Sequence, residues 1–234
     1  MVVGLLATLG ILGVIALLVM AFVQRGRETL DFSLRGLLRV YLYLASLVGI
    51  VVFTLGIAGI AAFLLAAIFG RDVIYGGPPP QPVPAIAPAC PPNTTCPPFV
   101  TFAPRPPVIP DERERRQQED LVRGVTQLVF GGIFWGAHWA ARKGIVGGDE
   151  RASGLYRAYL ILGTAVFGIA TIVLLPTGIY QALSQALITA QPGTFRQGAG
   201  ESLSGGIATL PIWLLYLWLV QRALRTPAAT TAVA

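Results

Sequence analysis

The sequence predicts an all-α, polytopic membrane protein with five transmembrane helices, on three observations. Of its 234 residues, 54% are hydrophobic and only 12% are charged, against about 25% charged in ordinary soluble domains. The apolar residues come in long unbroken runs and do not alternate at helix or strand period, which is the pattern of lipid-facing helices. The basic residues gather at the ends of those runs, where they orient membrane proteins and meet anionic headgroups.

Five runs approach the roughly 20 residues that a crossing needs. The first, 2–23, is uncharged. No basic side chain precedes it, it is longer than a signal-peptide core, and arginines follow it directly, so it reads as an uncleaved anchor with its N-terminus outside. The second, 40–70, is also uncharged. As a helix it would extend about 46 Å across a hydrocarbon core of about 30 Å, so tilt or protrusion is expected. The third, 121–141, is the least apolar, with Arg123, Gln127 and His138. The mixed-charge run before it, 111–120, is helix-forming, and Glu112 and Arg116 are spaced to pair along a helix. The third helix is therefore expected to begin there, outside the bilayer, as a solvated face. The fourth begins at Ala158 and stays uncharged past Ile188. Pro176 should kink it, and the more polar stretch 177–191 reads as a helical extension at the outer surface. The fifth is 203–220.

The flanks set the orientation. Arg25, Arg27, Arg35 and Arg39 lie between the first two spans. Arg142, Lys143, Arg151 and Arg157 lie between the third and fourth, and Arg222 and Arg225 follow the fifth. If all five spans cross, these segments share one side, and the positive-inside rule makes it the cytoplasm. The N-terminus is then outside and the C-terminus inside. With one lysine against 16 arginines, the composition suggests a GC-rich bacterial genome, and hence a bacterial inner membrane. The net charge of +6 is accounted for by topology and lipid headgroups, so nucleic-acid binding is not expected.

The outer loop between the second and third spans holds 14 of the 18 prolines within 76–110. Such a segment favours extended polyproline-II coil. It reads as a spacer, with a docking segment for a Pro-binding partner as the alternative. Cys90 and Cys96, the only cysteines, lie in it, and the oxidising side predicted for this loop makes them candidates for a disulfide.

The start of the second span, Arg39-x-Tyr41-Leu42-x-Leu44, recurs at the start of the fourth as Arg157-x-Tyr159-Leu160-x-Leu162, 118 residues on (159 − 41). Trp135 and His138 of the third span match Trp213 and Tyr216 of the fifth, 78 residues on (213 − 135). The difference between the two separations is taken up by the long loop of the first unit. The chain therefore divides into an N-terminal anchor (1–30), a first helical hairpin with a Pro-rich outer loop at 71–120 (31–142), a second hairpin (143–225) and a cytoplasmic tail (226–234). Two such parallel repeats would pack as a pseudo-twofold four-helix bundle.

The Arg39-x-Tyr41-Leu42-Tyr43-Leu44 motif before a long apolar helix, and the closing motif Gly205-Gly206…Pro211-x-Trp213-Leu214-Leu215-Tyr216 ending in Gln221-Arg222, resemble a family of bacterial membrane domains of unknown function, found largely in Chloroflexi-type bacteria. The resemblance covers about residues 37–71 and 119–225. It implies a helix-pair organisation and assigns no activity and no functional residues.

Ionisable side chains inside a membrane are functional candidates by default, and this chain has few. Arg123 can reach water at the outer end of its span. His138, the only histidine, sits between Trp135 and Trp139 near Arg142, so it belongs to the interfacial aromatic belt. The methionines are Met1 and Met20, which leaves His138 without a strong second haem ligand. No span carries Asp or Glu at its centre, and no zinc-protease, P-loop or nucleophile-elbow motif occurs. No catalytic residues, metal or cofactor are expected.

Helix packing is expected on the face Gly132-xxx-Gly136-xxx-Ala140, with similar small-residue patterns at Thr164/Gly168 and Ser202/Gly206. Interhelical hydrogen bonds are expected among Thr126, Gln127 and Thr171. The function expected is a non-enzymatic scaffold or accessory subunit of a membrane assembly, self-associated or within a larger complex. The alternative is a small transporter or channel built from the two repeats, which a polar seam between the hairpins would favour. A membrane enzyme or cofactor binder using His138 and Arg142 is a third reading.

Overall fold

The computed structural model describes residues 34–77, 112–146, 153–188 and 196–225. The anchor 2–23, both cysteines and most of the Pro-rich loop lie outside the described residues. Five helices form within them: α1 (Leu34–Phe69), α2 (Arg71–Tyr75), α3 (Glu112–Val146), α4 (Gly154–Leu187) and α5 (Gly200–Arg225). Helices are the economical solution for such apolar runs, because every backbone polar group bonds within its own segment. Ser153 caps α4, its hydroxyl accepting from the Tyr156 amide at 3.2 Å. The threonines inside the helices bond back to their own helix, as Thr54 does to the Ile50 carbonyl at 2.7 Å, so their polarity is spent locally. α4 continues through Pro176 as far as Leu187, and α5 also contains a proline, Pro211.

Three of these helices, over Gly36–Phe69, Gly154–Leu187 and Gly200–Arg225, are long and apolar enough to cross a membrane. The chain is thus an all-α, multi-pass membrane protein. α3 is long enough at 35 residues, but its charged first turns and polar interior keep it out of that set. It begins inside the mixed-charge run, where Arg116 donates to Glu112 at 2.6 Å. Residues 71–75, within the stretch read as outer loop, form the short helix α2. It is flanked by Gly70 and Gly76, which take φ of +93° and +90°, a region costly for any residue with a Cβ.

α1 runs along α3, and α4 along α5, while α1 also packs on α5. A twofold axis would bring α3 and α4 together in the same way, and they share no comparable packing. The pseudo-twofold bundle is therefore not what forms. α1 is the common neighbour, and α3 lies on its flank.

Backbone-to-backbone approach holds the pairs. A Cβ on Gly56 would stand 2.3 Å from the Leu128 amide nitrogen, and one on Gly206 would stand 2.7 Å from the Leu175 Cα. The face Gly132-xxx-Gly136-xxx-Ala140 is not the one that meets α1 backbone to backbone. Gly132 touches only the Phe53 ring at ordinary distance, Gly136 has open space beside it, and Ala140 is exposed. The residues of α3 that meet α1 closely are Gly124 and Gly131. Both sets recur at helical spacing, and spacing alone does not say which side has a neighbour.

Candidate functional site

At the end where α1 and α4 begin, aromatic side chains fill the space between helices. Tyr43, Tyr159, Phe167 and Tyr216 are buried in one cluster with Leu47 and Ile50. The Tyr159 and Tyr216 hydroxyls are 2.6 Å apart. The Arg142 guanidinium, buried, lies 4.9 Å from the Tyr43 ring centre and 5.4 Å from that of Tyr159. Such a cation over two ring faces is held by their quadrupoles. Beside it Tyr41 and His138 approach at 3.3 Å, and the other His138 ring nitrogen is 2.7 Å from the Phe134 carbonyl. Both histidine nitrogens are thus engaged, and the ring is fixed in the belt.

The opposite end is different. α2 is tied to α3 by polar side chains. Arg71 donates to Gln117 at 2.7 Å and to Glu114 at 3.3 Å, Arg113 pairs with Asp72, and the Tyr75 hydroxyl donates to Asp120 at 3.0 Å. It is tied to the second pair by backbone, the Ala199 amide donating to the Val73 carbonyl at 2.9 Å. The small residues there make this possible: a Cβ on Gly198 would lie 2.1 Å from the Ile74 carbonyl oxygen.

Beneath this tie lies a cleft of about 740 Å³, within the range of small-molecule sites. Its floor is α1, at Leu55, Ala58 and Ala62. One wall is α3, with Arg116, Asp120, Arg123 and Gln127, and the other is α5, with Glu201, Ser202 and Ser204. α3 and α5 make no extended contact, so the cleft separates them. Arg123 pairs with Asp120. Burial pushes the Asp120 carboxyl above the usual carboxylate range. The Tyr75 hydroxyl and Arg123 oppose this, and the nearby Glu201 charge adds to it. Burial, and then the Asp120 charge, push the Tyr75 phenol up as well.

Sequence reasoning singled out Arg123 and Gln127 but placed neither in a cleft. Gln127 lines it, Thr126 bonds back to the Val122 carbonyl at 2.8 Å, and Thr171 pairs instead with Thr209 at 3.0 Å. Asp120, Glu201 and Ser204 were not singled out at all. Their only sequence signal is a polar residue in the first few turns of a helix, which is common to surface residues.

Residues 105–214 match a domain of unknown function (DUF5671). Such a domain is present in this chain, over α3, α4 and the first part of α5. The match takes in the closing motif as far as Leu214 and leaves out α1 with its Arg39-x-Tyr41 motif. Neither the curated proteins nor the solved structures give a match.

Proposed function

We propose that this membrane protein is a non-enzymatic accessory subunit or scaffold, built from two similar helical hairpins behind an N-terminal anchor, that docks another membrane component through α3. The observation that carries this reading is the uncovered side of α3. Within the described residues α3 packs mainly on α1, with smaller contacts to α2 and, through Arg142, to Tyr159 of α4, and its far side exposes Val125, Val129, Phe130, Ile133 and Phe134. Among these apolar side chains lie exposed Thr126 and the open space beside Gly136. A helix of this mixed character is better suited to a protein neighbour than to lipid, because close approach at small residues is what drives helix association in membranes.

Contacts at matching positions support the repeat. Tyr41 meets His138 in the first hairpin, and their counterparts Tyr159 and Tyr216 meet in the second. Gly56 packs on Leu128, and, within one residue of the same separations, Leu175 packs on Gly206. The proposed setting is a bacterial inner membrane, crossed five times, with the N-terminus outside and the arginine-rich ends of the helices in the cytoplasm. The domain boundaries are those of the sequence reading, and Cys90 and Cys96 are proposed to pair in the outer loop.

The test is cross-linking in native membranes through single cysteines at Ile133 or Gly136. The reading expects a covalent adduct, with a second copy or with a larger partner, at these positions and not at Ile172 on α4. Monomer alone at every position sinks it.

The cleft favours a second reading, a small transporter or channel made of the two repeats. The aromatic layer around Arg142 fills the opposite end of the same helices, so passage would require that layer to open. Solute flux in liposomes, raised by Tyr216→Ala, is the outcome that would favour it.

A further inference from the structure

We infer that the cleft between α3 and α5 is a binding site for a zwitterionic amphiphile, a phospholipid with an amine headgroup. Four observations on the cleft lead there, and none depends on what docks on α3.

The first is shape. α1 closes the back, α3 and α5 form the sides, and α2 lies across one end. No lining residue closes the side opposite α1, and we take that side to face the bilayer. A ligand can enter sideways from the leaflet.

The second is charge. Asp120 on α3 and Glu201 on α5 line opposite walls of the cleft. Two carboxylates flanking a gap favour an ammonium group between them. Arg116 and Arg123 lie on the α3 wall, paired with Glu112 and Asp120, and each guanidinium fork has further N–H donors that suit a phosphate. The site thus offers both signs within one cavity, which matches an amine joined to a phosphate better than it matches a simple anion.

The third is hydrogen-bonding capacity. Ser202 and Ser204 are 4% and 3% exposed and line the cleft. A serine hydroxyl in a helix can bond back to its own carbonyls or turn to a ligand. Two hydroxyls buried in a wall and available to the cavity are suited to a ligand's ester or phosphate oxygens.

The fourth is the floor. Leu55, Ala58 and Ala62 carry no polar side-chain atom and run along α1 toward the middle of the helix. Gln127 is seven residues deeper along α3 than Asp120 (127 − 120), about 10 Å at helical rise. Acyl-chain carbons fit this track, with the headgroup at the α2 end.

The experiment is native mass spectrometry of the full chain in detergent. The probes are phosphatidylethanolamine, phosphatidylglycerol with the same chains, and chain-free glycerophosphoethanolamine. The expected result is retention of phosphatidylethanolamine at about tenfold lower concentration than phosphatidylglycerol, with the chain-free headgroup weaker still. Glu201→Gln, at an exposed position, should abolish the preference between the two lipids. Ala58→Leu, which fills the floor, should lower retention of phosphatidylethanolamine with little effect on the chain-free headgroup. Ile172→Ala on the far side of α4 should change nothing. Equal retention of both lipids, or an unchanged preference in Glu201→Gln, overturns the inference. Chain-free headgroup binding as tightly as the lipid overturns it too, and makes the occupant a water-soluble zwitterion.

Discussion

At the scale of single residues, the sharpest contrast is between two glycines. Gly56 has the Leu128 backbone where its side chain would be, and Gly136 has nothing within 4 Å. Gly56→Ala should therefore force α1 and α3 apart and cost roughly 1–3 kcal/mol, as overpacking does. Gly136→Ala should cost nothing and gain up to about 1 kcal/mol of helix propensity. Thermal unfolding in detergent reads both. Asp120 gives a second residue-level prediction. Its carboxyl is raised chiefly by burial, so the folded protein holds that proton more tightly than the unfolded chain does. Its contribution to stability is then greatest when protonated and falls as pH rises through the raised value. Asp120→Asn should remove this part of the pH dependence, which sets in as pH rises above the ordinary carboxylate range. A melting curve as pH-dependent in the variant as in the parent would contradict it.

At the scale of elements, α2 is the piece that length and hydropathy do not announce. Five residues between a long apolar helix and a proline run carry no periodic signal. What makes the segment helical is tertiary: glycines at both ends, side-chain bonds from Arg71 and Tyr75 to α3, and the backbone bond from Ala199. Arg71→Ala should remove the bonds to Gln117 and Glu114, costing about 1 kcal/mol for the part-buried bond to Gln117 and little for the exposed ion pair. Faster hydrogen exchange at residues 71–77 and 196–200 is the expected signature. α1, α4 and α5 were legible because an uncharged run longer than a bilayer has few alternatives to a helix. The start of α3 was legible from the mixed charges of 111–120. Its packing face was not, because Gly124 and Gly131 are no more conspicuous than Gly132 and Gly136. The cleft was invisible for a related reason. Asp120 and Glu201 are 81 residues apart (201 − 120), and only the tie through α2 brings their helices to the same place.

At the scale of the whole molecule, the two pairs share internal contacts and yet join asymmetrically, through α1 and α5. The lack of extended α3–α4 packing to match α1 against α5 is what leaves one flank of α3 bare and opens the gap beside α5. The proposed topology has its own check. Cysteines introduced at Arg27 or Gly148 in a cysteine-free background should resist an impermeant label on intact cells and react after permeabilisation. Labelling from outside would reverse the orientation.

The bond from the Ala199 amide to the Val73 carbonyl also bears on how the protein is made. It joins positions 126 residues apart (199 − 73), and contacts so distant in sequence form late and slowly. α1, α2 and α3 leave the ribosome well before the residues that complete the cleft. For that interval the first pair has an unsealed polar groove, a state that invites chaperones or premature association. The order of synthesis thus makes Gly198–Ala199–Gly200 the clasp that ends assembly, and bulky substitutions there should lower yield in the membrane more than they disturb protein already folded.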